Sequence, residues 1–316
     1  MKIFRHIADV PEAYKGAVVA IGNFDGVHLG HQALINEAAC HAAERGAPLA
    51  VLAFEPCPQE FFRPGGEPFR LTPFRAKTHL IANLGADAMY ALAFDAEMAH
   101  RSAQDFVLDV LVKGLGVGCV VVGSDFRFGR GRAGDAAVLS YMGAMEGFGA
   151  VIFDHVTMGA GEKISSTGIR TALKAGKPGE AARLLGHPFV IEGRVEHGDG
   201  RGREFGFPTA NMHLGGYLRP AFGIYAVRVA VLEDDKVVSR HDGVANLGIR
   251  PMYESAEPLL ESYLFDFSGD LYGKHLAVDL IAYLRPEAKF AGVEALKTQI
   301  GADIAAAKAA LASTPR

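Results

Sequence analysis

A ten-residue stretch near the N-terminus combines two histidines with three glycines, directly after an apolar run that predicts a β-strand at 17–21. The stretch reads Gly22-Asn23-Phe24-Asp25-Gly26-Val27-His28-Leu29-Gly30-His31, and a helical pattern starts at its end. His28 and His31 are three residues apart, so they share one face of the first helical turn. Backbone N–H groups at a helix N-terminus attract anions, and two imidazoles beside them would complete a phosphate clamp. The alternative is that both histidines only cap the helix or lie on its surface.

A second candidate for phosphate binding lies further along the chain. Ser165 and Ser166, followed by Thr167, precede a helical pattern at 169–175. Serines are good N-cap residues. Arg170 carries a planar guanidinium that can donate two parallel hydrogen bonds to one phosphate. A capped surface helix is the competing interpretation of this segment.

A glycine pattern between these two segments points to a different chemistry. Gly129-x-Gly131-x-x-Gly134 follows a predicted strand and precedes a helix, and Asp154 lies twenty residues on. This approaches the dinucleotide-binding fingerprint of dehydrogenases. The glycines begin several residues after the strand ends, and Arg130 and Arg132 stand where a pyrophosphate needs bare backbone. We therefore expect this match to be a false positive.

The C-terminal part offers a candidate metal site. Thr209 and Asn211 are two residues apart in the extended segment Gly206-Phe207-Pro208-Thr209-Ala210-Asn211. A hydroxyl and an amide oxygen at this spacing would face the same side. Mg²⁺ prefers such oxygen ligands, together with waters and phosphate oxygens. The sequence contains no GxxxxGK[ST] pattern, so any ATP here binds without a P-loop. A turn followed by an edge strand is the alternative.

Two kinds of secondary-structure pattern position these groups. Short apolar runs at 17–21, 48–54, 88–94, 118–123 and 149–154 alternate with amphipathic segments such as 31–45. This alternation predicts a parallel α/β sheet. From Gly186-His187-Pro188 onward, strand-like runs follow one another closely, which predicts antiparallel pairing and a small barrel. Asp234-Asp235 supplies turn residues between two of these runs. A final helical pattern from about 286 places Val293, Leu296, Ile300, Ile304 and Leu311 on one stripe.

Length and composition set broad limits. The chain has 316 residues, of which 49% are hydrophobic and 22% are charged. These values fit a globular protein of two domains. Its formal net charge of −4 gives no general reason to bind nucleic acid or anionic lipid. The three cysteines have no metal-binding spacing, and there is no signal-peptide pattern and no apolar stretch long enough to span a membrane. We expect a cytoplasmic protein with neither nucleic-acid nor membrane partners.

The N-terminal motifs resemble those of bacterial FAD synthetases. GNFDGVHLGH is similar to the HxGH motif of nucleotidylyltransferases, while GSDFRFGRGRAGD at 123–135 and ISSTGIR at 164–170 are similar to two further motifs of the family. The resemblance implies a Rossmann-like domain at 1–186 that transfers an adenylyl group from ATP to FMN. It assigns flavin contacts to Asp125, Phe126 and Phe128. It assigns ATP and phosphate contacts to Gly22, Asn23, Phe24, Asp25, Gly26, His28, His31, Ser165, Ser166, Thr167 and Arg170, with both histidines in the catalytic step.

The C-terminal motifs resemble those of riboflavin kinases. GFPTAN at 206–211, GVANLGIRP at 243–251 and LESYLFDF at 260–267 occur in the order of that family. The resemblance implies a six-stranded antiparallel barrel with a terminal helix at 187–316. It assigns Mg²⁺ to Thr209 and Asn211, ATP contacts to Gly206 and Pro208, the general base to Glu261 and a flavin contact to Arg285. Without the resemblance, Glu261 is only one polar residue of an alternating strand.

Together these resemblances imply a bifunctional enzyme that converts riboflavin to FMN and FMN to FAD, with ATP as the co-substrate of both steps. Two departures affect the N-terminal half: Cys57 replaces the histidine of a Phe-Glu-Pro-His-Pro stretch, and Gly168 replaces the first arginine of ISSTRIR. They motivate one alternative, a monofunctional riboflavin kinase whose N-terminal domain is a regulatory nucleotide or flavin module. A flavin carrier without activity is a second alternative, which the presence of Glu261, Thr209 and Asn211 together disfavours.

Overall fold

The computed structural model of the chain describes residues 1–154, 156–158, 162–197, 202, 206–249 and 257–315. Contacts divide the chain into two compact units, Met1–Glu67 with Thr72–Ser165 and Pro68–Leu71 with Ser166–Arg316. Residues 166–186 therefore group with the C-terminal residues, whereas the sequence predicts a domain boundary at 186. Helices α7 (Ser166–Lys174) and α8 (Pro178–Leu185) account for this, since α8 contacts the C-terminal sheet and the amide of Ala221 donates to the carbonyl of Leu173.

A parallel sheet organises the first unit. Its strands are β1 (Lys2–Phe4), β2 (Val18–Ile21), β3 (Leu49–Phe54), β4 (Ala88–Leu92), β5 (Cys119–Gly123) and β8 (Gly149–Phe153). All five predicted strands are present, and the spatial order is β1-β4-β3-β2-β5-β8. Strand β1 pairs with β4 and escapes prediction because it is only three residues long and mostly exposed. Two short hairpins lie outside this sheet: β6 (Arg127–Phe128) with β7 (Gly134–Asp135), and β9 (Thr157–Met158) with β10 (Glu162–Lys163).

Helices cover both faces of this sheet. Residues Val19 and Ile21 of β2 belong to one apolar cluster, while Val18 and Ala20 belong to the other, as the two-residue period of a strand requires. The helices are α1 (Leu29–Arg45), α2 (Pro58–Phe62), α3 (Phe74–Asn83), α4 (Ala96–His100), α5 (Ala103–Asp105, continued by a π-helix at Phe106–Leu115) and α6 (Ala136–Glu146). The predicted helix at 31–45 is confirmed as α1, which ends at Gly46 in the left-handed conformation that favours glycine.

An antiparallel sheet organises the second unit, as predicted. Its strands are β11 (Phe189–Arg194), β12 (Ala210–His213), β13 (Gly223–Glu233), β14 (Lys236–Ile249), β15 (Pro258–Leu264) and β16 (His275–Arg285). Their order is β11-β16-β13-β14-β15-β12, and a single bridge from Glu196, just after β11, to Asn211 of β12 links the two outer strands of the curled sheet. Asp234 and Asp235 both have positive φ angles at the β13–β14 turn, which is the hairpin geometry that their sequence favours.

The terminal helix α9 (Val293–Ser313) lies against one face of this sheet. Ala307 and Leu311 pack with Ala226 and Val244 in a common apolar cluster. The helix starts later than predicted, and Val293 is 46% exposed, so the apolar stripe buries only its C-terminal part. Arg228 caps that end by donating to the carbonyls of Leu311, Thr314 and Pro315. Within the part of the chain that the structure describes, no helix is long and apolar enough to cross a membrane.

Candidate active sites

The glycine and histidine loop lies at the carboxyl edge of the parallel sheet, where β2 ends. The chain runs from β2 outward to β3 and β4 and then returns to β5 on the other side of β2. Loops that leave neighbouring strands in opposite directions open a crevice, and ligands of α/β sheets bind there. The loop at 22–28 and the loop that follows β5, which carries Asp125, Phe126 and Phe128, therefore share one edge of the sheet.

His28 is the N-cap residue of α1. Its Nδ1 atom accepts a hydrogen bond from the backbone amide of His31 at 3.2 Å. The neutral ring therefore carries its proton on Nε2. A side chain on Gly30 would have its Cβ 3.2 Å from the His28 ring, so glycine leaves room for the imidazole over the first turn. The capping alternative and the phosphate-clamp hypothesis are thus compatible, because one nitrogen caps the helix and the other bears a donor.

His31 stacks on His28, with 3.6 Å between the ring centroids. Its Nδ1 atom is buried and has no hydrogen-bond partner within the described ranges. Burial lowers the pKa of His31 well below its usual value, and the nearby charges of His28 and Lys77 lower it further. His31 is therefore neutral at pH 7.

The loop between Gly22 and His28 is fixed from inside. The backbone amide of Gly26 donates to the Thr72 hydroxyl at 2.8 Å, and the amide of Thr72 donates to the Asp25 carboxylate at 3.0 Å. Phe24 is 0% exposed, and its ring lies 3.2 Å from where a Cβ on Gly22 would stand. Phe24 and Asp25 thus shape the loop from within, whereas Asn23 is exposed.

Lys77 is a candidate site residue that the sequence patterns do not reveal. It lies on α3, is only 2% exposed, and is close enough to His31 to lower the pKa of that imidazole. Buried lysines are rare because desolvation disfavours the charged ammonium. Helical periodicity alone assigns Lys77 no special role, and only the packing of α3 places it beside the histidines.

Seven phenylalanine rings form a continuous chain of contacts at the same carboxyl edge. Phe126 stacks on Phe128 at 5.5 Å between centroids, Phe128 contacts Phe106, and the chain continues to Phe62, which is 63% exposed. The predicted flavin residues Phe126 and Phe128 form one end of it, and the other five are Phe54, Phe61, Phe62, Phe94 and Phe106. Asp125 beside them is exposed and pairs with Lys163 at 3.4 Å.

The glycines of the dinucleotide-like pattern serve local packing. Gly129 and Gly134 lie against Ala103, where an added Cβ would approach within 2.6 and 2.8 Å. The segment forms the small β6–β7 hairpin, and α6 then starts with Asp135 as its N-cap, accepting from the amide of Val138 at 2.9 Å. Residues 129–134, all of them described, do not form the strand, tight glycine turn and helix of a dinucleotide site, which agrees with the expectation that this match is a false positive.

The segment at 165–170 is divided between the two units. Ser165 is the last residue of the first unit, while Ser166 and Thr167 open α7 in the second. Within that unit, Arg170 donates from Nε to the carbonyl of Phe69 at 2.9 Å and lies 5.4 Å from the centroid of the Phe69 ring. In the first unit, Cys57 is a buried residue at the start of α2.

The C-terminal candidate residues meet through strand register. Asn211 of β12 lies directly opposite Glu261 of β15, and Glu261 lies directly opposite Asn246 of β14. Residues opposite each other on neighbouring strands point to the same face, with Cβ atoms about 5 Å apart. The register therefore places the predicted base between two amides. One of them, Asn246, lies within the GVANLGIRP motif, and the sequence alone predicts no role for it.

The loop before β12 holds the other predicted residues. Gly206 has a φ of 86°, a conformation that favours glycine, and both it and Pro208 are exposed. Thr209 is half-buried, and the Asn211 amide nitrogen faces its carbonyl at 3.5 Å. Over the described ranges, no cluster of three His, Cys, Asp or Glu side chains could hold a metal ion, and Thr209 and Asn211 are outside that class. Residues 250–251 of the GVANLGIRP motif lie outside the described residues.

Arg285 is engaged by the terminal helix. Its Nε and terminal nitrogen donate to the two carboxylate oxygens of Asp303 at 2.8 and 2.6 Å, and Asp303 is only 7% exposed. This hydrogen bonding raises the pKa of Arg285. The predicted flavin-contacting guanidinium thus holds α9 against the end of β16.

The two units together define a nucleotide-binding α/β domain followed by an antiparallel β domain with a row of polar residues on one face of its sheet. A family model described as FAD synthetase matches residues 10–168, and one described as riboflavin kinase matches residues 185–311. The chain belongs to the bifunctional riboflavin kinase/FMN adenylyltransferase family. The resemblance inferred from the motifs is thereby confirmed, and both domains of the family are present.

Individual relatives agree over nearly the whole chain. The bifunctional riboflavin kinase/FMN adenylyltransferase of Escherichia coli K12 is 43% identical over 304 residues, which cover 96% of each chain. That of Pseudomonas fluorescens is 42% identical over 310 residues, covering 98% of this chain and 97% of the relative. A solved structure described as a macrolide-efflux protein from Streptococcus pneumoniae superposes with a TM-score of 0.83 at 30% identity, covering 95% of this chain and 96% of that one.

Proposed function

We propose that the chain makes FMN from riboflavin at the polar row formed by Asn211, Glu261 and Asn246 in the second unit. It makes FAD from FMN at the loop after β2 in the first unit. ATP is the co-substrate of both reactions. The observation that carries the proposal is that His28 with His31, and Glu261 with Asn211 and Asn246, form two separate polar clusters, one in each unit. The family domain boundary at 186 remains a prediction.

In the kinase reaction, Glu261 accepts the proton of the riboflavin 5′-hydroxyl while the hydroxyl oxygen bonds to the γ-phosphorus of ATP and the bond to the β-phosphate oxygen breaks. ADP leaves. A carboxylate at the attacking hydroxyl assists proton removal, while positioning and charge neutralisation lower most of the barrier. Glu261 is half-buried, and the residues directly opposite it on both neighbouring strands are neutral amides.

The oxygen donors of Thr209 and Asn211 fit Mg²⁺ in chemical type. The Asn211 amide nitrogen faces the Thr209 carbonyl, which leaves the amide oxygen as the acceptor on the other side. Bound Mg²⁺ would neutralise phosphate charge there. Gly206 and Pro208 are exposed in the same loop, where ATP phosphates would approach the backbone.

In the adenylyl transfer, the FMN phosphate oxygen bonds to the α-phosphorus of ATP, and the bond between the α- and β-phosphates breaks to release pyrophosphate. The FMN phosphate is already ionised, so no general base is required. His28 contributes a donor at Nε2 beside the helix N-terminus, and His31 gains a proton more readily once phosphates offset its burial. Within the first unit, the loop backbone at Gly22, Asn23, Phe24, Asp25 and Gly26 and the polar group of Ser165 are the proposed remaining ATP contacts. The assignment of Ser166, Thr167 and Arg170 to ATP rests on the family resemblance alone.

The phenylalanine chain supports a flavin site at this edge. An isoalloxazine ring is flat and aromatic, and it stacks favourably on phenyl rings. Phe126 and Phe128 lie at one end of the chain, and Phe62 stands 63% exposed at the other. Asp125, at the start of the same loop, is a polar group for the ring edge or the ribityl hydroxyls.

One assay separates this proposal from a monofunctional kinase, which Cys57 and Gly168 favour as the alternative. The protein is incubated with FMN, ATP and Mg²⁺, and FAD and pyrophosphate are quantified. We expect both products in equal amounts. FMN production from riboflavin without any FAD would instead support a regulatory N-terminal domain, and tight flavin binding without ATP consumption would support a carrier.

A further inference from the structure

Asn246 is as close to the proposed base in strand register as Asn211 is. Strand β15 lies between β12 and β14, and the register places Glu261 directly opposite Asn211 on one side and Asn246 on the other. All three side chains therefore project from the same face of the sheet. Asn211 neighbours the loop that carries Thr209, whereas Asn246 lies on the side of Glu261 away from that loop.

The orientation of the Asn246 amide is fixed by a carboxylate. Its Nδ2 atom donates to Oε1 of Glu287 at 3.3 Å. A carboxylate accepts hydrogen bonds but cannot donate them when ionised. The amide nitrogen therefore faces Glu287, and the carbonyl oxygen points away from it. Glu287 itself lies over Gly248, where an added Cβ would clash with its carboxylate, so the glycine makes room for it.

The Asn246 carbonyl oxygen is left without a partner. Oδ1 is buried and accepts no hydrogen bond from the described residues. Most buried polar atoms in proteins have a partner, and each exception calls for an explanation. A ligand that brings an O–H donor to this oxygen would supply one.

We propose that Oδ1 of Asn246 accepts a hydrogen bond from a hydroxyl of the riboflavin ribityl chain, beside the 5′-hydroxyl that Glu261 deprotonates. This inference rests on the proposed riboflavin kinase site. Glu261 then lies between two binding regions of the polar row. Asn211 is on the side of the metal and ATP, and Asn246 is on the side of the ribityl chain. Asn246 binds the part of riboflavin that carries hydroxyls and not the ring.

The test compares riboflavin with a flavin that lacks the ribityl chain. FMN formation by the full-length Asn246→Ala variant is measured against riboflavin concentration, with 7,8,10-trimethylisoalloxazine as a competitive inhibitor. We expect the KM for riboflavin to rise roughly tenfold, as for one lost hydrogen bond to substrate, while the Ki of the ring-only inhibitor stays unchanged. Asn246→Ser, which retains a short oxygen, should fall between wild type and Asn246→Ala. Val238→Ala is the control, since it shortens an exposed side chain on the same strand.

Several outcomes would overturn the inference. An unchanged KM, or a KM and Ki that rise by the same factor, would mean that Asn246 does not bind the ribityl chain. A shift in the Mg²⁺ dependence with the riboflavin KM unchanged would assign the amide to the metal instead. A wild-type protein that makes no FMN would refute the proposed function itself, whereas an active wild type with a normal Asn246→Ala variant would refute only this inference.

Discussion

The two candidate sites are built in opposite ways. The N-terminal site is contiguous in sequence: residues 22–31 form one strand exit, one loop and the first turn of α1, and His28 caps the helix that His31 belongs to. The C-terminal site is assembled from Asn211, Asn246 and Glu261, which lie on three strands and meet only through register. One site depends on a local backbone conformation, and the other depends on the pairing of a whole sheet.

The two sites also differ in their electrostatic surroundings. His28 and His31 are stacked, and burial lowers the pKa of His31, so that imidazole is uncharged at pH 7. Glu261 is half-buried, with a neutral amide directly opposite it on each neighbouring strand. The first arrangement suits binding and stabilising phosphate charge, and the second suits accepting a proton. Substitutions at the two sites should therefore separate the reactions.

The largest separation should come from Glu261→Gln. The glutamine keeps the shape of the side chain but cannot accept the substrate proton, so we expect FMN formation to fall by roughly 10²- to 10⁴-fold. FAD formation from supplied FMN should be unchanged. Both rates are measured by separating FMN and FAD chromatographically after incubation with ATP. The control is Glu257→Gln, an exposed carboxylate just before β15 that faces His213. A near wild-type kinase rate in Glu261→Gln would remove Glu261 from the mechanism.

A pair of His28 variants tests whether the local site does more than cap a helix. His28→Ala removes the capping acceptor and the donor, so we expect FAD formation to fall roughly 10²-fold or more and stability to fall by about 1 kcal/mol. His28→Asn restores a good capping oxygen without the imidazole donor. Its melting temperature should return toward wild type while FAD formation stays low. Recovery of activity in His28→Asn would mean that capping alone explains the residue.

The contrast between the sites also explains what the sequence could predict. The site at residues 22–31 could be predicted because the end of the strand, the glycines and the histidines are adjacent in the chain. The helix starts within a few residues of its predicted place. Asn246, Lys77 and the five additional phenylalanines could not be found that way. Their roles depend on which strands pair and on which side of α3 faces α1, and these are properties of packing that no local pattern contains.

The same reason accounts for the differences in the fold. Strand β1 is too short and too exposed to show the alternation of apolar and polar residues that predicts a strand. The residues around Arg285 do not indicate its partner Asp303, which lies on another element eighteen residues away. Strong periodic signals gave predictions that are confirmed: the alternating strands of the first unit and the antiparallel run of the second are both present.

The variant Asp303→Ala tests whether the C-terminal site, formed by Asn211, Asn246 and Glu261, depends on the terminal helix α9. The substitution leaves Arg285 without its bidentate partner. We expect the second unit to lose about 2–3 kcal/mol of unfolding free energy, since a largely buried charge pair is broken. FMN formation should become more sensitive to heat than FAD formation. Urea unfolding and activity after brief heating provide the measurements.

A matched control for Asp303 lies on the same helix. Glu294→Ala removes an exposed pair with Lys297. Exposed pairs contribute little, so the change in unfolding free energy should be at most about 0.5 kcal/mol. An equal effect of the two variants would contradict the structural role of Asp303.

The last expected effect concerns Asp279, a carboxyl on β16 in the same antiparallel sheet as Glu261. Burial raises the pKa of Asp279 from 3.8 to about 6, and the nearby Arg240 and Arg228 only partly oppose this. Because the pKa is higher in the folded state, the folded protein binds the proton more tightly than the unfolded chain does. The stability that Asp279 contributes is therefore full below about pH 4 and is lost as the pH rises through 6.

Asp279→Asn should remove this loss. We expect the variant to match wild type at low pH and to exceed it by about 3 kcal/mol at pH 8, as measured by urea unfolding of the full chain at a series of pH values. Asp9→Asn, which replaces an exposed carboxylate of the first unit, is the control for introducing an Asp-to-Asn change elsewhere in the chain. If Asp279→Asn is instead less stable at pH 8, attraction to Arg228 and Arg240 outweighs burial. The antiparallel sheet would then be stabilised partly by charge. The neutral surroundings that distinguish the second site would in that case be confined to the residues around Glu261.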